Sequence, residues 1–150
     1  MKSKSLLVTA IIGIVTLFLA AGLYAGSTVQ DVIKMQNDYE HTKGIVEFSH
    51  AKHVSDYKAG CGDCHHDENN KPLTDLKVGD DVKKCIECHN KPGEKPKGKG
   101  APKLSKSEEL QYHAEALHDN CKGCHKDYNK KNKTKAAPTT CTKCHPKTKK

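Results

Sequence analysis

No tryptophan and no arginine occur in this chain, and methionine and phenylalanine appear only twice each. Past Gly26, Val, Ile, Leu, Met and Phe together number 16 across residues 26–150. So thin an apolar complement cannot build an ordinary core, and by composition alone the domain would read as disordered. With no arginine and few aromatics among the lysines, the chain also lacks the pattern of a nucleic-acid binder. Only one long hydrophobic run is present, Leu6 to Tyr24. Something other than side chains must fill the interior.

That run follows a basic start, Met1-Lys2-Ser3-Lys4-Ser5, and small residues stand at Ala20-Ala21-Gly22 and Ala25-Gly26, the layout of an export signal. It is also long enough to span a bilayer, so residues 1–25 read as a cleaved signal peptide or a retained N-terminal anchor. Either way, residues 26–150 are expected in the periplasm, free or held at the periplasmic face of the inner membrane. They amount to one small domain.

Cysteine and histidine are plentiful, and they come together. All eight cysteines fall in four copies of one motif: CGDCH (61–65), CIECH (85–89), CKGCH (121–125) and CTKCH (141–145). C-x-x-C-H is the attachment site of haem c, where two thioether bonds hold the macrocycle and the adjacent histidine ligates its iron. The cofactor-binding residues are thus Cys61, Cys64, Cys85, Cys88, Cys121, Cys124, Cys141 and Cys144. Zinc is the first competitor, since 20 residues separate Cys64 from Cys85 and 16 separate Cys124 from Cys141, which is zinc-ribbon spacing. A disulfide framework in an exported chain is the second. Neither explains a histidine after every second cysteine. Four covalent haems do, and each large apolar ring becomes the core that the side chains cannot supply.

Four irons take His65, His89, His125 and His145 as proximal ligands and leave six of the ten histidines for the opposite faces. Methionine, the other common distal ligand, is present only as Met1 and Met35, so at most one haem can use it. Bis-histidine ligation is therefore expected throughout. His66, directly after His65, projects in another direction and can reach a second haem. His50 and His53 follow a partly alternating apolar run in "IVEFSHAKH" that reads as a short strand. In either a helical or an extended chain they can serve two different haems. The stretch "SKSEELQYHAEALHDN" reads as a helix begun by a capping box of Ser105 and Glu108. Leu110, Ala114, Leu117 and Cys121 share one face of it, and His113 and His118 flank that face on opposite sides, so periodicity leaves both open. His41 has no partner motif and reads as an exposed histidine.

With these residues in place, the chain resembles the class III cytochromes c, the small tetrahaem cytochromes of anaerobic respiratory bacteria. The resemblance covers about Gly44 to His145 and rests on the ordered set F-x-H-x-x-H, CxxCHH, CxxCH, a helix ending His-Asp, then CxxCH twice. Many members carry C-x4-C-H at the second and fourth haems, whereas all four motifs here are C-x2-C-H. The resemblance implies His50 as distal ligand to the haem on His65, His66 to that on His89, His53 to that on His125 and His118 to that on His145. It also implies the fold class: mainly irregular and α, with short helices and turns wrapped around four covalently bound haems and room for one short β-hairpin.

All basic charge is lysine, and it is unevenly spread. Residues 26–90 carry 8 lysines and 12 acids, whereas residues 121–150 carry 10 lysines against Asp127 alone. The second region is expected to steer an acidic redox partner. The resemblance names such partners, a periplasmic hydrogenase or a membrane-bound cytochrome complex. A Lys, Pro and Gly-rich stretch over 91–106 reads as a flexible connector. The function expected is low-potential electron carriage in anaerobic respiration, without catalysis, because two histidines per iron leave no open position. A small multihaem reductase with one open haem, or a building block of a cytochrome assembly, are the alternatives. Because the haems stand in for the core, the haem-free chain should remain largely unfolded. Circular dichroism of haem-free protein checks this, and a cooperative thermal transition there would contradict it.

Overall fold

The computed structural model describes residues 30–77 and 79–147. The expected export segment, residues 1–25, lies outside them. Gln30–Lys77 and the chain from Val82 onward form one unit, and it is mostly irregular with short helices.

Its only sheet among the described residues is a two-residue antiparallel ladder, β1 (Ile33–Lys34) against β2 (Glu47–Phe48). The register sets Ile33 opposite Phe48 and Lys34 opposite Glu47, an apolar pair and a pair of opposite charge. Directly after β2 comes α1 (His50–Ser55), so the strand reading of this stretch holds up to Phe48 and the two histidines lie on a helix. A 3-10 turn, Cys61–Asp63, comes next, then α2 (Cys85–Cys88), α3 (Lys106–Leu110) and α4 (His113–Leu117). From α4 the chain continues without interruption through a π turn (His118–Lys122) into α5 (Gly123–Lys131), and α6 (Cys141–Cys144) comes last.

The expected helix over 105–120 therefore exists in two pieces. Its start is as expected: Ser105 caps α3, its Oγ accepting from Glu108 N–H at 3.4 Å while its own N–H donates to Glu108 Oε2 at 2.8 Å. The break comes at Tyr112, which takes extended dihedrals (φ −78°, ψ 123°) and pairs with Lys91 as an isolated parallel bridge. Lys91 N–H donates to Gln111 O at 2.9 Å, and His113 N–H donates to Lys91 O at 2.8 Å. The Lys91 ammonium also sits 5.2 Å from the Tyr112 ring centroid. Helical periodicity does not report this competition, because the competing strand is about 20 residues away. The same bonds pin the beginning of the connector. Ala114 N–H donates to Gly93 O at 2.9 Å, and Lys95 pairs with Glu109.

No apolar side chain among the described residues is buried; the one buried residue is His113, at 2% exposure. It accepts or donates at Nδ1 with the Tyr39 hydroxyl at 2.8 Å, and the two rings meet edge to face. His41 stacks on the other side of this cluster, 4.6 Å from Tyr39 centroid to centroid. It is half-buried rather than exposed, since Tyr39 and Asn37 cover it.

Burial holds the His113 imidazole below its ordinary pKa of 6.5, with repulsion from His89 and His41 adding to the effect. An unfolded imidazole takes up its proton below about pH 6.5 while the folded one resists, so the unfolded state binds more protons and stability falls as pH drops. Thermal melts should show His113→Ala destabilised by about 2 kcal/mol at neutral pH, through the stranded Tyr39 hydroxyl and the lost packing. His113→Gln should flatten the loss of stability seen on acidification through that range.

Candidate functional site

Each C-x-x-C-H stretch folds as part of a helical turn. His65 N–H donates to Cys61 O at 2.8 Å, His89 N–H to Cys85 O at 2.9 Å and His145 N–H to Cys141 O at 2.7 Å. Residues three apart in such a turn share a face, so the two cysteines present together with the histidine beside them. In the first two motifs a carboxylate inside the motif closes the turn from behind. Gly60 N–H donates to Asp63 Oδ2 at 2.8 Å and Lys84 N–H to Glu87 Oε1 at 2.7 Å. The third motif has Gly123 at that place and needs no such cap, because it lies inside the helical run of the π turn and α5.

No two of the eight cysteines are joined by a disulfide. Among the described residues no group of three or more His, Cys, Asp or Glu side chains is placed to hold a metal ion. A four-cysteine zinc cage does not assemble there.

The histidines gather in pairs. His53 and His125 have ring centroids 6.1 Å apart, His66 and His89 5.8 Å, and His118 and His145 6.3 Å. His50 lies close enough to His65 to lower its pKa, behind the larger effect of burial. An imidazole nitrogen sits about 2 Å from the metal it ligates, so two imidazoles on opposite sides of one ion have centroids roughly 6 Å apart. The three measured separations fit that requirement.

Hydrogen bonds decide which nitrogen of each ring carries the hydrogen. His125 Nδ1 lies 2.7 Å from Pro138 O, His145 Nδ1 2.8 Å from Gly44 O, and His89 Nδ1 2.5 Å from Leu110 O. Outside the C-x-x-C-H motifs, His53 Nδ1 is 2.9 Å from Ser49 O and His66 Nδ1 2.8 Å from Asp67 O. A carbonyl can only accept, so each Nδ1 carries the hydrogen and each Nε2 keeps its lone pair. That is the tautomer and orientation an iron ligand needs. His41 differs, because its Nε2 is engaged by the backbone of Asn37 at 3.2 Å. His113, which periodicity left level with His118, is engaged at Nδ1 by Tyr39 and joins no pair.

Several supporting residues carry no sequence signal. Leu110, Pro138 and Gly44 contribute only a carbonyl oxygen. Gly44 also allows a close approach, since a Cβ there would lie 2.1 Å from Pro146 O. Asp67 is more legible: its Oδ1 accepts from Asn69 and Lys71 N–H, each at 2.9 Å, closing the turn after His66. These bonds lower the Asp67 pKa, that to Lys71 most.

The family model described as the class III cytochrome c family matches residues 27–145. No curated protein and no solved structure matches the chain.

Replacing His53 by alanine should convert one haem from low-spin to high-spin, read by electron paramagnetic resonance of the oxidised protein. His41→Ala should leave the spectrum unchanged.

Proposed function

We propose, on the premise that the chain belongs to the class III cytochrome c family, that it carries four bis-histidine haems and shuttles electrons between redox proteins in the periplasm. Family membership makes it a multihaem electron-transfer protein with covalently bound haem c. The count, the ligands, the compartment and the partners are the proposal. The observation that carries it is the set of three histidine pairs at 5.8, 6.1 and 6.3 Å, each joining a motif histidine to one outside that motif.

Cys61 and Cys64, Cys85 and Cys88, Cys121 and Cys124, and Cys141 and Cys144 hold the four groups. His50 with His65, His66 with His89, His53 with His125, and His118 with His145 supply the axial nitrogens. Haem c, when bound, supplies a one-electron couple at each of these positions. Imidazole on both sides keeps the potential lower than a thioether ligand would, and carbonyl acceptors on Nδ1 make the ligating nitrogens more basic. With both faces occupied, no position is left for a substrate, which supports a carrier over a reductase.

The adjacent pair His65-His66 serves two sites at once. His65 belongs with Cys61 and Cys64, and His66 meets His89 of the second motif. Two sites tied through consecutive residues are held close, as rapid electron exchange between them requires. The lysines around the third and fourth motifs would receive an acidic face of the partner, a hydrogenase or a membrane cytochrome complex. Lys126, Lys130, Lys131 and Lys143 are exposed, as docking requires.

Haem quantification should return four per chain, with every signal low-spin. The second-order rate with an acidic redox partner should fall at least about tenfold as ionic strength rises from about 0.01 to about 1 M. A salt-independent rate would remove the docking assignment. A high-spin haem in the unmodified protein would reopen the reductase reading.

A further inference from the structure

One helical run, from α4 through the π turn to the end of α5, carries ligands for two different sites. His118 pairs with His145, and His125 pairs with His53. These two histidines are seven residues apart. At about 100° per residue, an uninterrupted α-helix would set them about 20° apart, on a single stripe. Both would then project to the same side, separated only by two turns of rise. The two partners, His53 and His145, come from different parts of the chain, and a change of phase between the histidines lets them project to different sides.

The π turn His118–Lys122 makes that change. An i→i+5 bond in place of i→i+4 takes in one extra residue, which shifts the phase of the helix beyond it by about 100°. Isolated π turns are rare and are held in place by their surroundings. Two contacts flank this one. Asp119 takes an ion pair from Lys106 of α3 at 2.5 Å. Asn120 donates from Nδ2 to Cys64 O at 3.3 Å, across 56 residues of sequence. Cys64 is the second cysteine of the first motif, and Cys121, next to Asn120, is the first cysteine of the third.

We propose that the π turn is a phase splitter that assigns His118 and His125 of one helix to two haems, and that Asn120 is the positioning residue that pins it to the first motif through Cys64. The inference rests on the four-haem reading. It gives Asn120 a role distinct from ligation: its amide joins the first, third and fourth sites at one junction and so fixes their mutual spacing.

The test is made on holoprotein, with haem counted per chain and spin state read by electron paramagnetic resonance. Insertion of one alanine after Asn120 rotates His125 by about 100° relative to His118 and should leave four haems attached, since all eight cysteines remain, with one of the four turned high-spin. Insertion of one alanine after Lys131, at the far end of α5, lengthens the helix equally without altering the phase between the two histidines, and should leave all four low-spin. Deletion of Asn120 converts the π turn into an α turn and keeps the angle between the two histidines, six residues at about 100° in place of seven across the wide turn, and should also leave all four low-spin. Asn120→Leu removes the donor at similar size without adding a charge and should shift the reduction potentials of the holoprotein, whereas Asn120→Gln keeps the donor and should hold them at the parent values. Four low-spin haems in the Asn120 insertion would overturn the proposal, as would the same high-spin haem in both insertions or a high-spin haem in the deletion. Potentials unmoved in Asn120→Leu would remove Asn120 from it. An unmodified protein with fewer than four low-spin haems would instead overturn the four-haem reading, and the splitter would fall with it.

Discussion

Covalent attachment is the constraint on which the rest of this structure depends. The described residues bury one side chain, a histidine, and no apolar one. A chain of that kind gains too little from the hydrophobic effect to offset the conformational entropy of folding. The compensation comes from the covalently bound haem groups that cysteines fix to the backbone. Covalent attachment keeps them at high effective concentration beside the chain they must order. The short helices make sense in that light. Segments of four or five residues, such as α2, α3 and α6, have no independent stability in water. In α2 and α6 the turn serves to set the geometry of a cysteine pair and its histidine.

Orientation of the imidazoles is the second layer, and it relies on the backbone. Five histidines donate from Nδ1 to carbonyl oxygens supplied by Ser49, Asp67, Leu110, Pro138 and Gly44. Carbonyls do not titrate and cannot donate, so the tautomer they impose is fixed at every pH where the imidazole is neutral. A side-chain carboxylate in their place would add a second protonation equilibrium to each ligand. His113 shows the contrast. Its partner is a hydroxyl, which can accept or donate, and this histidine packs the fold and joins none of the three histidine pairs.

This division explains what the sequence could and could not reveal. The four motifs, the supply of histidines, the capping box at Ser105 and the split of charge are written in residue identity, and each is legible without a structure. The class III family is legible in the motif order, and the match over 27–145 agrees. The carbonyl acceptors are illegible because any residue has one, and only the fold decides which is presented. The helix break at Tyr112 is hidden for a related reason: local periodicity favours continuation, and the competing bonds come from Lys91 and Gly93. The π turn leaves no mark in composition either.

The break at Tyr112 and the π turn can be understood as two solutions to one problem. Residues 105–131 must present groups to several sites, but an α-helix consumes its own carbonyls and repeats its faces. In an unbroken helix Leu110 O would accept from Ala114 N–H, as every i and i+4 pair does. Here Ala114 N–H donates to Gly93 O instead, and the released Leu110 carbonyl takes the His89 imidazole. No backbone hydrogen bond is lost, because each group exchanges one partner for another, and the exchange costs little. The π turn treats the other limitation, altering the phase and not the bonding. A straight helix would deny His89 the Leu110 carbonyl and would set His118 and His125 on one face. Two local departures from α geometry therefore let a single stretch of chain orient His89, bring His118 to His145 and carry a whole C-x-x-C-H motif.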